Sequence, residues 1–400
     1  MSKPDQSNEQ DVVVVGGGPS GRIAAIGLAQ LGLSVALVAP VAGGQDGRTT
    51  ALWQQSISFL KRIGVWDDLA QSTAPLAKMR MVDDTGGLIR APEVVFDSSD
   101  LELEEFGFNI LNDRLNAVLE EKCSAEETLT VFPEQAVSVE TASGHILVET
   151  ASGSHIRARL AIAADGRKSM LRDAAGIDVK TWAYPQVAVV LNIEHRLPHN
   201  SVSTEFHTPT GPFTLVPLPG NMSSIVCVES EEGAERLCAM KAAELEMELE
   251  RRAHSILGSF KLASDVKSFP LSGMSASRLI GDRIALIGEA AHVFPPIGAQ
   301  GLNLSLRDII DLTSVVGGAC RRSVDPGDRS ILEHYETKRR RDITTRTNAV
   351  DILNRSLLTP FLPVQAARGL GMYVVDKVAP LKRFLMREGM SPASGFRRPG

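Results

Sequence analysis

The chain has 400 residues, 43% of them hydrophobic and 22% charged, which fits a globular protein of two packed lobes and argues against wholesale disorder. Its formal net charge of −6 lacks the basic excess typical of nucleic-acid binders, so we predict no nucleic-acid partner. The four cysteines form neither a Cys-x-x-Cys pair nor a Cys/His cluster, and the polar N-terminus has no apolar signal core. We therefore expect reduced thiols, no metal site and a cytoplasmic protein.

The first predicted element is a strand, because four valines occupy residues 12–15 and β-branched runs are typical of strands buried on both faces. A glycine-rich turn at residues 16–21 separates it from a predicted helix over residues 22–31 and a second strand over 34–39. The uncharged stretch 23–45 also has the hydropathy of a membrane span. Its glycines and proline break that pattern, so a buried helix followed by a buried strand explains it better.

Gly16, Gly18 and Gly21 fit the G-x-G-x-x-G pattern of dinucleotide-binding folds. The first glycine permits the tight turn, the second lets a pyrophosphate approach the backbone, and the third lets helix and strand pack closely. The helix N-terminus offers free N–H groups and a partial positive charge to the phosphates. Ala39 departs from the pattern, since an acidic residue there usually binds the ribose, and the nearest acid is Asp46. This motif alone leaves FAD and NAD(P) open as ligands.

Two later segments favour FAD. Residues 160–169 contain an apolar strand that ends in Asp165-Gly166, and residues 281–292 contain another that ends in Gly288-Glu289, followed by a glycine-containing loop at 295–303. Ligand-binding groups collect at the carboxyl ends of strands in an open α/β sheet. Three such strand ends suit one long dinucleotide. The sequence therefore predicts an α/β fold with a Rossmann-like FAD-binding domain.

The ordered trio of motifs resembles that of the FAD-dependent aromatic hydroxylases of the p-hydroxybenzoate hydroxylase type. Within that group the chain is most similar to the ubiquinone-biosynthesis hydroxylases, and the similarity extends over nearly its whole length. The segments that carry this closer similarity are residues 48–52 with Ser56, 60–66, 107–112, 211–219 and 278–303.

The resemblance implies FAD as cofactor, NAD(P)H as reductant, and a set of cofactor-binding residues. Arg48 would offer a cation near the pyrophosphate, and Glu289 would bind the ribityl chain at a position where the family usually has Asp. The loop that ends at Asn303 would place a helix N-terminus against the flavin pyrimidine ring, where reduced flavin is negatively charged. No catalytic side chain is implied. The full set is Gly16, Gly18, Pro19, Ser20, Gly21, Arg48, Asn112, Asp165, Gly166, Gly288, Glu289, Pro296, Gly298, Ala299, Gln300, Gly301, Leu302 and Asn303.

Between the second and third motifs the pattern changes to that of a mixed-sheet substrate domain. Strands are predicted over residues 187–193, 203–206, 213–216 and 223–228, and one long charged helix over 234–257. Both domains are expected to be discontinuous, followed by a helical C-terminal tail. The predicted boundaries are 1–75, 107–180 and 276–345 for the FAD-binding domain, 76–106 and 181–275 for the substrate domain, and 346–400 for the C-terminal segment.

The histidines, the charged runs and the C-terminal tail are interpreted as follows. His292 and His207 are candidate bases, but a hydrogen-bonded structural histidine is the favoured interpretation of His292. The acidic run 97–105 is interpreted as a solvated loop, and the basic run 338–341 as the exposed face of a helix. The basic, apolar tail 350–400 fits a membrane surface, a partner subunit or a cover for the protein's own core.

The resemblance implies a monooxygenase that uses NAD(P)H and O2, through a flavin C4a-hydroperoxide, to hydroxylate an aromatic ring. The substrate it implies is a polyprenylated phenol of ubiquinone biosynthesis, with peripheral contact to the inner membrane or to pathway-complex partners. The alternatives are an FAD-dependent hydroxylase of a small soluble aromatic compound and a non-catalytic flavin-binding accessory protein. A flavin halogenase is disfavoured, because Trp53, Trp66 and Trp182 do not form its W-x-W-x-I-P segment.

Overall fold

The computed structural model describes residues 8–40, 47–87, 91–295, 300–358 and 378–390. Within these ranges the chain forms three sheets and the helices that pack on them. The strands are β1 (Glu9–Val15), β2 (Val35–Val38), β3 (Thr49–Trp53), β4 (Thr73–Leu76), β5 (Lys78–Asp83), β6 (Val94–Asp97), β7 (Gly107–Leu111), β8 (Leu129–Phe132), β9 (Ala136–Ala142), β10 (His145–Thr150), β11 (His155–Ala163), β12 (Val179–His195), β13 (Val202–His207), β14 (Pro212–Leu218), β15 (Met222–Glu229), β16 (Phe260–Leu262), β17 (Lys267–Ala276), β18 (Ile280–Gly281), β19 (Ile284–Leu286) and β20 (His292–Val293). The helices are α1 (Pro19–Ala29), α2 (Gln54–Arg62), α3 (Trp66–Ala70), α4 (Asn112–Ala125), α5 (Met170–Ala174), α6 (Glu231–Ala239), α7 (Ala242–Arg252), α8 (Gln300–Arg321), α9 (Arg329–Leu358) and α10 (Ala379–Met390).

The first sheet has the order β18-β19-β11-β1-β2-β8, and its β19, β11, β1, β2 and β8 run parallel. Its centre is β1, where Val13 pairs with Ala36 on one side and Ala161 on the other. The valines of β1 are at most 5% exposed, as expected for a strand covered on both faces. The α/β prediction is confirmed, and the carboxyl ends of β1, β11 and β19 meet at one edge of this sheet.

The second sheet has the order β20-β17-β12-β15-β14-β13-β5-β6, and β13 pairs with β5 in the only parallel contact among its described strands. The four strands predicted between residues 187 and 228 are confirmed as parts of β12 to β15. One face of the sheet packs against α6 and α7. Its other face is turned toward the first lobe, as the contact between Asn192 Nδ2 and the carbonyl oxygen of Gly47 (2.8 Å) demonstrates.

The long helix predicted over residues 234–257 is wrong, because two short helices occupy this segment. Met240 and Lys241 have extended backbone angles and separate α6 from α7. Leu237 of α6 and Leu245 and Leu249 of α7 are all buried in the core on the second sheet. The break lets each helix place its own leucines on the twisted sheet, and this packing overrides the uniform helix propensity of the sequence.

The third sheet, β3-β7-β4, lies between the two lobes, and α10 packs beside it. Met386 of α10 is 6% exposed and joins a buried set that we call the tail cluster: Ala51, Trp53, Leu76, Phe106 and Met386. Lys382 Nζ pairs with Asp100 Oδ2 at 3.1 Å. The described part of the C-terminal tail therefore covers the protein's own core, whereas residues 359–377 and 391–400 lie outside the described ranges.

Two predictions about charged runs need correction. Arg339 of the basic run is 2% exposed, because it lies one helical turn after the buried Tyr335 on the inner stripe of α9; Lys338, Arg340 and Arg341 are exposed as predicted. The acidic run contains the end of β6 and a 3-10 turn (Ser98–Leu101) with Ser98 buried, so it is not simply a solvated loop. No helix in the described ranges is long and apolar enough to cross a membrane.

Candidate functional site

The glycine turn after β1 is built so tightly that two of its glycines admit no side chain. Gly16 has a φ of +127°, and a Cβ there would overlap the carbonyl oxygen of Ala164. A Cβ on Gly21 would overlap the carbonyl oxygen of Gly16. Gly18 differs, since a Cβ there meets no described residue within 4 Å and its φ of −73° suits any residue. The backbone at Gly18 therefore faces open space, which is what close approach of a pyrophosphate requires.

The N-terminus of α1 begins at this open space. Gly18 is its N-cap residue, no side chain caps the helix, and Pro19 occupies the first turn. The first turn contains no acidic residue. Uncapped N–H groups and the helix dipole favour a bound anion, so the residues at this helix start fit the predicted phosphate position.

Ala39 lies beside this turn, at the end of β2. It is 5% exposed, and a Cβ on Gly17 would lie 2.8 Å from the Ala39 Cβ. A small residue at position 39 thus packs directly against the glycine turn. The nearest acid, Asp46, lies outside the described residues.

The second motif follows β11 and is held by its own aspartate. Asp165 Oδ2 accepts hydrogen bonds from the N–H groups of Met170 (2.8 Å) and Leu171 (3.3 Å) at the start of α5. Gly166 has a φ of +81°, a conformation that favours glycine. Asp165 Oδ1 is buried and has no hydrogen-bond partner among the described residues. One carboxylate oxygen therefore holds the start of α5, and the other is available as a hydrogen-bond acceptor.

The third motif is anchored from behind by a buried carboxylate. Asp308 Oδ2 accepts a hydrogen bond from the Gly288 N–H (2.9 Å) and lies 2.7 Å from His292 Nε2. Asp308 Oδ1 accepts a hydrogen bond from Arg339 Nε (2.8 Å). Burial opposes ionisation of Asp308, yet the interactions with His292 and Arg339 hold the pKa of this carboxyl below its usual range. His292 is thus confirmed as a buried, hydrogen-bonded histidine, and the network fixes the Gly288 turn.

Glu289 projects from this turn toward the second motif. Its Oε2 lies 3.2 Å from Arg167 Nε, and Arg167 Nη1 donates to Ser272 Oγ of β17 at 3.1 Å. Both charged side chains are about half exposed, so the pair contributes little to stability. It does join the second motif, the third motif and the second sheet at one place.

The remaining predicted residues lie next to β3, at the start of α4 and in the first turn of α8. The Arg48 guanidinium stacks over the Phe269 ring at 5.2 Å, and Asn112 Oδ1 accepts a hydrogen bond from the Thr50 hydroxyl at 2.6 Å. Asn303 is 1% exposed and its Oδ1 accepts from the Trp53 N–H at 3.0 Å. Its side chain therefore ties α8 to β3.

Gln300, Gly301 and Leu302 form the first turn of α8, and a Cβ on Gly301 would meet none of the described residues within 4 Å. Pro296, Gly298 and Ala299 lie outside the described residues. The structure thus brings the described members of all three motifs to one edge of the first sheet, facing β12 and β17.

Sequence reasoning missed two buried polar residues on the second sheet, Asn192 of β12 and Ser224 of β15. The signal that identifies them is a polar residue within an otherwise apolar strand, as in residues 189–193 and 223–228. The other missed residues are Asp308 and Arg339, whose burial is evident only from the packing of α8 on α9.

A family model described as an FAD binding domain matches residues 9–349. The ubiquinone hydroxylase UbiL of Rhodospirillum rubrum is 34% identical over 387 residues, covering 95% of this chain and 89% of that protein. The 3-demethoxyubiquinol 3-hydroxylase of Escherichia coli is 30% identical over 383 residues, covering 93% of this chain and 96% of that protein. The crystal structure of p-nitrophenol 4-monooxygenase PnpA from Pseudomonas putida has the same fold, with a TM-score of 0.79 at 19% identity, covering 98% of this chain and 100% of that one.

Proposed function

Because this chain belongs to the FAD binding domain family and is an FAD- and NAD(P)H-dependent monooxygenase of that family, we propose that it hydroxylates the ring of a polyprenylated phenol in ubiquinone biosynthesis. The observation that carries the substrate assignment is the match, over more than nine-tenths of the chain, to two relatives that act on ubiquinone or its precursors. An aromatic substrate and O2 follow from the family. The presence of a prenyl chain on that aromatic substrate is what we propose in addition.

The residues of the three motifs fit FAD. Open space in front of Gly18, the uncapped α1 N-terminus and the unpartnered Asp165 Oδ1 supply room for the pyrophosphate, donors for its charge and an acceptor beside it. When bound, FAD supplies the redox chemistry that takes a hydride from NAD(P)H and passes one oxygen atom of O2 to the ring.

The protein's own part is positioning and exclusion of water. The Asp308 network fixes the Gly288 turn, and the start of α8 presents backbone N–H groups that stabilise negative charge near them. The second sheet closes over this edge through the Asn192–Gly47 and Arg167–Ser272 contacts. A sheet closed over this edge keeps water from the reacting oxygen and orients the ring.

The experiment is product analysis in a strain that lacks this protein. Its quinones are extracted, and any accumulated intermediate is identified by mass spectrometry. We expect a prenylated phenol that lacks one oxygen atom, with ubiquinone restored by a plasmid copy of the gene and not by a Gly18→Ala copy. Unchanged ubiquinone in a strain shown to have no second hydroxylase of this family would contradict the proposal and favour a hydroxylase of a small aromatic compound.

We also propose peripheral contact with the inner membrane through α10. Phe384 is 53% exposed and stands between the exposed Arg383 and the exposed Arg387 one turn further on. An exposed aromatic residue flanked by basic residues suits an anionic lipid surface. A prenylated substrate dissolved in the membrane gives such contact a purpose.

A further inference from the structure

The two faces of the second sheet differ in chemistry, and β12 shows which residues lie on each. Val189, Leu191 and Ile193 are buried against α6 and α7. Strand alternation therefore turns the residues between them, including Asn192, toward the first lobe. The hydrogen bond from Asn192 Nδ2 to the Gly47 carbonyl oxygen (2.8 Å) confirms this direction.

Ser224 lies directly across from Asn192 on the neighbouring strand β15. Directly paired residues share a face of a sheet, with their Cβ atoms roughly 4.5–5.5 Å apart. Ser224 is fully buried and Asn192 is 4% exposed. Within the described ranges, neither Ser224 Oγ nor Asn192 Oδ1 has a hydrogen-bond partner.

Two adjacent orphaned polar atoms are unusual in a packed interior. A buried polar group without a partner loses its hydrogen bonds to water and gains none in return, so native structures pair nearly all of them. The exceptions call for a ligand or another explanation. Here the two atoms are complementary to one hydroxyl group, because a serine O–H donates and an amide oxygen accepts.

The surroundings of this pair define the shape of the ligand. On one side lies the Gly47–Arg48 segment, with Arg48 stacked over Phe269 of the same sheet. On the other side Ser224 pairs with Val216, which packs against the tail cluster of Ala51, Trp53, Leu76, Phe106 and Met386. A polar end close to the cofactor motifs thus continues into an apolar region.

We propose that Ser224 Oγ and Asn192 Oδ1 bind the ring hydroxyl of the substrate, and that the tail cluster receives its hydrocarbon chain. This assignment rests on the proposed function and names the residues that set its substrate class. The substrate hydroxyl donates a hydrogen bond to Asn192 Oδ1 and accepts a hydrogen bond from Ser224 Oγ. Both atoms are enclosed in this structure, so the ring reaches them when the Asn192–Gly47 contact opens.

The test compares Ser224→Ala with Ser223→Ala in the FAD-loaded protein. Ser223 faces the opposite side, where its Oγ lies 3.0 Å from His195 Nε2. The probes are 2-geranylphenol and its methyl ether, which lacks the hydroxyl proton, and the dissociation constants are read from the perturbed flavin absorbance. In the unaltered protein we expect the phenol to bind about tenfold more tightly than the ether, because the ether leaves Asn192 Oδ1 unpaired.

Ser224→Ala should weaken phenol binding about 5- to 30-fold and leave the melting temperature of the ligand-free protein unchanged or higher, since it removes an orphaned hydroxyl. Ser223→Ala should lower the melting temperature and leave phenol binding unchanged. Equal phenol affinity for Ser224→Ala and the unaltered protein, or a lowered melting temperature for Ser224→Ala, would overturn the assignment alone. Failure of the unaltered protein to bind either probe would overturn the proposed function together with it.

Discussion

Gly18 has a different role from the other glycines of its turn, although the sequence pattern treats them alike. Replacement by alanine meets no atom of the residues that the structure describes and demands no unusual backbone angle. We expect Gly18→Ala to keep the melting temperature of the FAD-free protein within about 2 °C, since a surface substitution without strain changes stability by about 0.5 kcal/mol or less. It should weaken the binding of FAD at least about tenfold, because the methyl group fills the space that the pyrophosphate needs.

Fluorescence titration with FAD and thermal unfolding of the apoprotein measure both quantities. Gly21→Ala is the matched control, since its Cβ would overlap the Gly16 carbonyl oxygen, and it should lower apoprotein stability as well. Unchanged FAD affinity for Gly18→Ala would place the pyrophosphate elsewhere.

The three ligand motifs were predictable from sequence because their chemistry is local. A tight turn needs its glycines, and a helix start needs its neighbours along the chain. Asn303 shows the limit of such reasoning. Its position in the motif implies a cofactor contact, but its side chain also accepts hydrogen bonds from the Trp53 N–H and the Ser56 hydroxyl and donates to the Ala51 carbonyl oxygen, all far away in sequence. Only the packing of α8 on β3 reveals that role.

At the scale of elements, α7 carries near its C-terminal end a carboxylate whose charge is strongly stabilised by two arginines of the same helix. Hydrogen bonds from Arg251, and then from Arg252, lower the pKa of Glu248 from 4.5 to about 2, against the effect of burial. A lowered pKa in the folded state means that this stabilisation is complete above pH 4.5 and is lost as the pH falls toward 2.

We therefore expect the free energy of unfolding to decrease between pH 4.5 and about 2, and the Glu248→Gln variant to show a smaller decrease over that interval. Urea denaturation at a series of pH values measures this. Glu235→Gln, on the exposed side of α6, is the control and should keep the pH dependence of the unaltered protein. An identical slope for Glu248→Gln and the unaltered protein would show that another group carries the acid sensitivity.

The elements themselves were predicted with uneven success, and the reason is physical. Strands β12 to β15 alternate or cluster apolar residues between turn residues, a pattern fixed by their own sequence. The break between α6 and α7 has no glycine or proline to announce it and arises from fitting two helices to one curved sheet. Arg339 follows the same rule: its spacing of four from Tyr335 was visible, but the acidic partners that make its burial tolerable lie largely on α8.

For the whole molecule, the proposed contact of α10 with the membrane can be tested directly. We expect the protein to bind vesicles of phosphatidylcholine mixed with phosphatidylglycerol, and Phe384→Ser to reduce that binding without lowering the melting temperature, since Phe384 is exposed. Met386→Ser is the contrasting variant, and it should lower the melting temperature because Met386 is buried in the tail cluster.

Co-sedimentation with the vesicles measures the first effect and calorimetry the second. Vesicle binding that is the same for Phe384→Ser and the unaltered protein would assign membrane contact to another surface. Binding that is lost only with Met386→Ser would mean that α10 must stay docked for contact to occur.

The fold class was predictable because strands of the first sheet are followed in the sequence by a turn and a helix, and this order repeats. The domain boundaries remain a proposal; the strands of the second sheet come from residues 78–97, 179–276 and 292–293. Which faces of the two lobes meet was not predictable, because the contacts that join them, such as Arg167 with Ser272, link residues whose proximity no local pattern encodes.

The pairing of β5 with β13 has a consequence for how the protein is made. Met79 on β5 pairs with Ser203 on β13. In the first sheet Val13 of β1 pairs with Ala161 of β11, and Ala161 pairs with Ile284 of β19, so each strand pairs with one that is synthesised much later. Contacts of such high sequence separation slow folding and leave strand edges unpaired in the meantime. The first sheet needs β19 and the second needs β20, so we expect neither sheet to be complete until the ribosome has synthesised residues 284–293.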